Sequence, residues 1–226
     1  MSKAGLKQTK RGGAAPMTRA NGDQTKEKIL DAAEELFGEQ TFDTVSLRDI
    51  TNRADVTLAL ASYHFGTKDN LFAAVVARRV HLLNDMRRQR LHALEESGNV
   101  TVESLLDAFM LPLFQQMQSG DDGWRAYVHV ISKLALTNRW LDLLKEYFDE
   151  TANLFIERLR PLLPGLSEEE LMRGFSYSLQ LMLQAVSSNR RLDSLSGGRF
   201  TANNLDHAYS TLLKYATAGL KGLLPA

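Results

Sequence analysis

The chain has 226 residues, of which 44% are hydrophobic and 24% charged, and its 27 basic and 27 acidic side chains give a formal net charge of zero. A chain of this length and apolar content can form one or two domains with a substantial core. It has no cysteine, which excludes disulfides and cysteine-ligated zinc and fits a cytoplasmic location. No run approaches the roughly 20 apolar residues of a membrane span, and the basic N-terminus lacks the apolar region of a secretory signal, so no membrane contact is expected.

Residues 1–24 are rich in Gly, Ala, Lys and Arg and show no hydrophobic periodicity. This composition predicts a disordered basic arm. Its basic residues precede a single acidic one, and the acidic runs lie further along the chain, so the arm is locally positive although the whole chain is neutral. Two roles stay open for it: a passive tail, or a segment that follows a phosphate backbone.

Two amphipathic helices are predicted next. The first begins near residue 25, and its apolar residues follow the i, i+3, i+4, i+7, i+8 spacing of one helical face. These residues are Ile29, Ala32, Ala33, Leu36 and Phe37. The second is short and begins after Ser46, which can form a capping box with Asp49. Its apolar residues are spaced to face a small core.

The stretch 45–71 predicts a tight helix–turn–helix. Asp55 lies where the chain must turn sharply, and aspartate is one of the few non-glycine residues that tolerate a left-handed conformation. Thr57 can cap the second short helix, which Gly66 closes, and Thr67 can cap a long third helix. A unit of this size, with small side chains on its second helix, is typical of a DNA-reading helix-turn-helix.

Further helices are predicted for the rest of the chain. They are separated by stops rich in Gly, Pro and Ser, and Pro112 is expected to kink the helix that contains it. The predicted helices span residues 67–96, 101–118, 124–136, 139–160, 167–188 and 202–221. The sequence contains neither strand-like alternation nor an internal repeat. The predicted fold is therefore all-α: an N-terminal three-helix helix-turn-helix domain followed by a helical domain.

Two segments carry a family resemblance. TKEKILDAAEELFGEQTFDTVSLRDITNRADV contains a helix that ends in Leu36-Phe37, and ASYHFGTKDNLFAAV contains an aromatic–Phe–Gly–Thr–Lys junction into the next helix. On these segments, residues 25–79 resemble the DNA-binding domain of the tetracycline-repressor (TetR) family of transcriptional regulators. Asp55 stands where that family usually has glycine. The resemblance implies that residues 80–226 form a helical effector-binding and dimerisation domain.

The resemblance also implies which residues contact DNA. The base-reading positions correspond to Arg48, Thr57, Leu58, Ala59 and Ser62. The apolar members favour methyl and backbone contacts, whereas Arg48 can form two hydrogen bonds with a guanine. The phosphate-contacting positions correspond to Ser46, Tyr63, His64 and Lys68. Lys68 is the strongest of these candidates, because free N–H groups in the first turn of a helix attract an anion. Alternatives stay open: Tyr63 can be a core aromatic and Arg48 a solvated side chain.

The last two long helices resemble the dimerising pair of the family. Each carries a broad apolar stripe, and two such helices from each of two subunits form a four-helix bundle. The predicted dimer interface consists of Leu171, Phe175, Leu179, Met182, Leu183, Val186, Leu205, Tyr209, Leu212, Leu213 and Ala216. A symmetric dimer places two reading helices on half-sites about one helical turn, or a multiple of it, apart.

A ligand pocket is predicted among the middle helices. Aromatic and methionine side chains can enclose an apolar molecule, although such residues more often form a core. The candidates are Met86, Phe109, Met110, Trp124, Tyr127, His129, Phe148, Phe155, Tyr177, Gln180 and Gln184. The most apolar helices lack cationic residues, which favours an apolar or amphipathic effector, although Arg125 and Lys133 leave room for an acidic one.

These patterns favour a homodimeric repressor that a small-molecule effector releases from double-stranded operator DNA. Such an effector must prefer the conformation that does not bind DNA. The alternative is a DNA-binding protein of the same fold whose second domain binds a protein partner. An enzyme is not expected, because the sequence offers no nucleophile–base pair and no carboxylate dyad. Neither a metal nor a cofactor is expected, because the five histidines are scattered.

Overall fold

In a computed structural model that describes residues 19–187 and 189–225, every regular element is helical. The first four helices are α1 (Arg19–Glu39), α2 (Leu47–Arg53), α3 (Leu58–Phe65) and α4 (Lys68–Ser97). The others are α5 (Val102–Gln118), α6 (Asp122–Leu134), α7 (Leu141–Leu144), α8 (Glu150–Leu159), α9 (Glu168–Val186), α10 (Arg191–Leu195) and α11 (Leu205–Lys221). The predicted all-α fold is confirmed for this part of the chain. None of these helices is long and apolar enough to cross a membrane.

The N-terminal domain is built around the apolar stripe of α1. Ile29, Ala33 and Phe37 are buried in a core that also takes residues from α2, α3 and the start of α4. The ring of Phe72 on α4 meets that of Phe37 edge to face, with 5.1 Å between the ring centroids. Because α3 contributes only Ala61 and Phe65 to this core, its other faces are left in solvent.

The predicted boundaries of the helix-turn-helix are confirmed. In the capping box, the Ser46 N–H donates to Asp49 Oδ2 at 2.8 Å and the Asp49 N–H donates to Ser46 Oγ at 3.2 Å. Asp55 has a φ of 52°, the left-handed conformation that the turn requires. Gly66, with a φ of 72°, ends α3, and the Thr67 side chain caps α4. Local sequence signals therefore fix the position of α3.

A second core joins α4 to the helices that follow it. The 30 residues of α4 begin in the first core and end in the second, which α5, α6, α8, α9 and α11 complete. Leu83 from α4, Leu106 from α5 and Phe155 from α8 are completely buried in it. Pro112 lies inside α5, as the sequence predicts. A shift of α4 in the second core therefore also moves the part of α4 that packs under the helix-turn-helix.

The predicted disordered arm, residues 1–24, is only partly correct. Residues 19–24 belong to α1, and the rest of the arm lies outside the described residues. Of these residues, 21–24 are exposed or only partly buried, so they contribute no apolar stripe. They are held by local bonds, such as that from Thr25 Oγ1 to the Asn21 carbonyl at 2.8 Å. A helix turn that buries nothing leaves no pattern in the sequence.

Several other predicted boundaries need correction. The predicted helix 139–160 is broken into a 3₁₀ turn (Asn138–Trp140), α7, a π-helical turn (Lys145–Asp149) and α8. The short helix α10 lies in what the sequence presents as a polar loop, and α11 begins at Leu205 rather than at residue 202. Thr57 precedes α3 but forms no side-chain cap. Periodicity locates helices, whereas backbone irregularities inside them depend on tertiary packing.

Candidate DNA-binding surface and effector domain

The surface of α3 that faces away from the core carries most of the predicted DNA contacts. Ala61 and Phe65 anchor the helix from below. The five predicted DNA contacts on or next to the opposite face are all exposed: Thr57, Leu58, Ala59, Ser62 and Tyr63. Tyr63 is 80% exposed and Leu58 40% exposed. Phe65 is buried whereas Tyr63 is exposed, so the interpretation of Tyr63 as a core residue is wrong.

Arg48 lies on α2 and is exposed beside this surface. Its neighbour Arg53, at the end of the same helix, pairs with Glu35 at 2.9 Å and with Glu39 at 3.8 Å. Arg53 is thus tied to α1, whereas Arg48 extends into solvent. We define the reading surface as Arg48 together with Thr57, Leu58, Ala59, Ser62 and Tyr63.

The predicted phosphate contact of Lys68 needs correction. The Lys68 ammonium donates to the carbonyl oxygens of Phe42 and Val45, each at 2.9 Å, and lies 4.2 Å from the centroid of the Phe42 ring. Two of its three N–H bonds therefore link α4 to the loop between α1 and α2. The sequence identified a helix N-terminus correctly but could not show the carbonyl groups that face this side chain.

The other two predicted phosphate contacts, Ser46 and His64, differ in the hydrogen bonds that they form within the chain. The Ser46 hydroxyl donates to Asp49 Oδ2 at 2.6 Å in the capping box. His64 is partly buried, and its Nε2 has no hydrogen-bond partner among the described residues. Ser46 is thus committed to holding α2, whereas His64 keeps an unused polar atom at the end of α3.

The predicted dimer stripe faces the inside of the chain. Of its eleven residues, those buried in the second core are Leu171, Phe175, Met182, Val186, Leu212 and Ala216. The partly buried members that pack on the same core are Leu179, Leu183, Leu205, Tyr209 and Leu213. The assignment to a dimer interface is therefore corrected. An apolar stripe shows that a helix packs against something, but it does not show against which partner.

A different apolar face of α9 and α11 is exposed. Its large exposed side chains are Tyr177, Leu181, Tyr215 and Leu223. The two helices border a groove of about 650 Å³ there, with Gly174 and Gly219 in its wall. We call this the outer α9–α11 face.

The eleven predicted pocket residues do not form one site. Those buried in the second core are Phe109, Met110, Trp124, Tyr127 and Phe155, while Met86 and Phe148 are partly buried. His129 is exposed. Tyr177, Gln180 and Gln184 line the groove of the outer α9–α11 face, on the other side of α9 from that core. Grouping them in one pocket was therefore wrong for these four residues, because spacing along a helix does not show which of its faces is buried.

Two buried polar residues of α4 were missed. Asn84 is 5% exposed and Arg87 3% exposed, and both lie in the second core. They continue an inward face that includes Val80, Leu83 and Leu91. The spacing of this face could have revealed them, since a polar residue at i+3 or i+4 from several buried ones shares their side of the helix.

A charged cluster joins α1, α4 and α6. Arg79 donates from Nε to Glu34 Oε1 at 2.6 Å and from Nη1 to Asp121 Oδ2 at 2.9 Å. Burial raises the pKa of Glu34, against the opposing effect of its bond with Arg79. The hydrogen bond with Arg79 lowers the pKa of Asp121. The three charges therefore link the interior of α4 to α1 and to the start of α6.

Lys133 and Gly38 complete the contact between α1 and α6. The Lys133 ammonium donates to the carbonyl oxygens of Phe37, Gly38 and Gln40 at 3.2, 2.5 and 3.0 Å. It therefore caps the C-terminus of α1 with a positive charge. A Cβ atom at Gly38 would lie 3.0 Å from the Cα and carbonyl oxygen of Ala126, so α1 and α6 meet with backbones in close contact.

Two family descriptions match the chain. Residues 29–75 match "Bacterial regulatory proteins, tetR family" and residues 107–219 match "Tetracyclin repressor-like, C-terminal domain". The HTH-type transcriptional repressor Rv3405c of Mycobacterium tuberculosis is 36% identical over 94 residues, which are 39% of this chain and 50% of that protein. The chain thus spans about half the length of this relative. The uncharacterized HTH-type transcriptional regulator TtgW of Pseudomonas putida is 33% identical over 102 residues, 45% of this chain and 75% of that protein.

A solved structure shows the same fold over a longer part of the chain. A TetR-like transcriptional regulator from Rhodococcus sp. RHA1 superposes with a TM-score of 0.55 at 20% identity, covering 92% of this chain and 100% of that one. The helix-turn-helix with its exposed reading surface, the helical second domain and the matches at both ends of the chain agree with one another. The chain therefore belongs to the TetR family of bacterial transcriptional regulators.

Proposed function

We propose that the protein is a homodimeric repressor that binds operator DNA through the reading surface and is released by a small-molecule effector bound in the second domain. The observation that carries the DNA-binding part is the exposure of five neighbouring positions, four on α3 and Thr57 just before it, above an anchored Phe65. When a short helix lies in the major groove, an exposed tyrosine and leucine on it, together with a neighbouring arginine, can contact the DNA directly.

The reading surface favours a division between base and phosphate contacts. Leu58 and Ala59 offer methyl groups that suit the thymine C5 methyl, and Arg48 offers two donors that suit guanine O6 and N7. Tyr63 at the end of α3 can donate to a phosphate, which fixes the register of the helix. The free N–H groups of the first turn of α4 provide a second phosphate contact, without the Lys68 side chain.

The outer α9–α11 face supports the dimer. This face exposes a contiguous set of large apolar side chains. Such a set is unfavourable in water and is typical of an interface. At Gly219 a Cβ atom would meet nothing within 4 Å, so this position leaves room for the backbone of a second copy to approach α11 closely. Pairing through this face leaves both reading surfaces free, so that two copies bind two half-sites.

The contacts of α6 support effector control. Tyr127, in the second core, and Lys133, which caps α1, lie on the same helix. A ligand that displaces α6 therefore also acts on the end of α1 and, through Arg79, on α4. For release, the ligand must bind more tightly to the displaced arrangement than to the one that binds DNA.

A protein partner in place of the small molecule is the second candidate. It is favoured by a groove of about 780 Å³ between α9, α11 and the segment that contains α10. Leu195 and Phe200 at its edge are 68% and 61% exposed. An amphipathic helix of a partner fits such a groove.

The DNA-binding proposal is tested by fluorescence anisotropy on a duplex selected from a random pool by the wild-type protein. We expect Arg48→Ala and Tyr63→Ala each to weaken binding by about tenfold or more, because each removes a base or phosphate contact worth roughly 1–3 kcal/mol. Arg125→Ala is the matched control, since Arg125 is exposed on α6 away from this surface. If all three variants bind the duplex like the wild type, the reading surface is wrongly assigned.

A further inference from the structure

The second core contains an arginine that pairs with no carboxylate among the described residues. Arg87 donates from Nε to the Phe109 carbonyl at 2.9 Å and from Nη1 to Asn84 Oδ1 at 3.3 Å. Its guanidinium carbon lies 3.8 Å from the centroid of the Phe109 ring. Every one of these contacts is with a neutral group. Arg79, about two helical turns earlier, shows the contrast, since it pairs with two carboxylates.

The absence of a counter-ion leaves a positive charge inside an apolar core. Burial lowers the pKa of Arg87 to about 9, so the guanidinium is still charged at neutral pH. A buried charge without an opposite partner is among the least favourable groups that a core can contain. An anion that enters the core would gain the full attraction of this charge at low dielectric.

Tyr127 offers a second unused group near the same charge. Its side chain is completely buried, and its hydroxyl has no hydrogen-bond partner among the residues that the structure describes. Burial raises the pKa of Tyr127, and the charge of Arg87 opposes that rise. The hydroxyl therefore stays protonated and can donate. Buried hydroxyl groups are rarely left unpaired without a reason.

The surroundings of Arg87 are aromatic and apolar. The ring of Phe109 packs against those of Phe155 and Phe175, with centroid distances of 5.1 and 5.2 Å. Trp124 meets Tyr127 edge to face at 5.5 Å. A molecule that places an anionic group at Arg87 must therefore carry an apolar body.

The backbone near this core is irregular in two places. Pro112 removes one helical hydrogen bond from α5, close to the Phe109 carbonyl that Arg87 contacts. The π-helical turn Lys145–Asp149 presents the Tyr147 carbonyl to Asn84 Nδ2 at 2.8 Å. Such turns are frequent at functional sites, and they rearrange more readily than regular helix. They supply two places where the core can open for a ligand.

We propose that the effector is an organic acid whose carboxylate is bound by Arg87 and Tyr127 and whose apolar body lies among Phe109, Phe155 and Phe175. This inference rests on the proposed function, because it names the chemistry of that effector. Binding at Tyr127 acts on α6, the helix whose Lys133 caps α1.

Direct binding of simple acids to the full-length protein tests the inference. The probes are octanoate, decanoate, benzoate and phenylacetate, each compared with its uncharged primary amide by calorimetric titration and thermal unfolding. We expect at least one acid to bind and to raise the melting temperature, while its amide does not. Arg87→Met should lower the affinity for that acid by about tenfold or more, as expected for loss of a hydrogen-bonded charge. Tyr127→Phe should lower this affinity by a smaller factor. It should not lower the stability of the free protein, because the lost hydroxyl has no partner among the described residues.

The controls separate a structural role from a binding role. Arg125→Met removes an exposed arginine from α6 and should leave acid binding unchanged. If Arg87→Met does not fold, Tyr127→Phe and Arg87→Lys provide the same comparison. The inference is overturned if no acid binds more tightly than its amide, or if the folded variants bind the acids as the wild type does. Neither titration contains DNA, so failure of DNA binding by the wild type would reject the proposed function and leave this result standing.

Discussion

The sequence alone cannot show whether the Lys68 side chain contacts a phosphate or bonds to groups within the chain. Its place in the first turn of a helix predicts a phosphate contact, but its ammonium is directed at two backbone carbonyls beneath the reading surface. A lysine side chain has four methylene groups and can turn either way from the same backbone position. Which way it turns depends on acceptors contributed by Phe42 and Val45, more than 20 positions earlier in the chain.

The free protein therefore tests the role of Lys68. Replacement by methionine should lower the free energy of unfolding by about 1–3 kcal/mol, because it leaves two carbonyl groups of the α1–α2 loop without their donor. Urea denaturation of the variant measures this effect. Lys145→Met, at an exposed position, should change stability by less than about 0.5 kcal/mol. Unchanged stability of Lys68→Met, combined with weakened DNA binding, would restore the phosphate-contact role.

The helix-turn-helix could be predicted almost completely at the level of elements. Ser46 acts through its capping side chain, and Asp55 and Gly66 act through their backbone conformations, so their positions in the sequence specify where α2 and α3 begin and end. The second domain could be predicted only as a set of helices. The stripe that begins with Leu171 and Phe175 looks the same whether it packs within the chain or across a dimer. Arg87 was missed for a related reason, since its burial depends on helices that pack around α4.

The close contact of α1 with α6 predicts strong sensitivity at Gly38. Valine there must push α6 away, because Ala126 leaves no room even for a Cβ atom. We expect Gly38→Val to destabilise the protein by about 1–3 kcal/mol, as overpacking does. Differential scanning calorimetry gives the measurement. Gln24→Val places valine at an exposed position of the same helix, and equal melting temperatures for the two variants would show that the contact is loose.

At the scale of the whole molecule, binding to two half-sites requires two reading surfaces held at a fixed separation. The outer α9–α11 face is the surface proposed to hold them, and its exposed side chains lie on the opposite side of these helices from the buried stripe. Effector control then depends on a chain of contacts from the second core through α6 to α1 and α4.

A single charge on the outer face should separate the subunits. We expect Leu181→Asp to convert the wild-type dimer into a species with the 25.3 kDa mass of one chain, because the charge would be buried against apolar side chains. Sedimentation equilibrium measures the mass directly. Leu136→Asp places the same charge at an exposed leucine of another helix boundary and should leave the dimer intact. A monomeric wild type, or a dimeric Leu181→Asp, would exclude this face as the interface.

Selection of duplexes from a random-sequence pool, followed by sequencing, shows whether the reading surface recognises specific bases. The wild-type protein should enrich an inverted repeat whose half-sites are about one helical turn, or a multiple of it, apart. Arg48→Ala should enrich the same repeat with the preference lost at one guanine of each half-site and kept elsewhere, because only the contact of that arginine is removed. Enrichment of no sequence by the wild type, or of an identical motif by Arg48→Ala, would contradict the assignment of the reading surface.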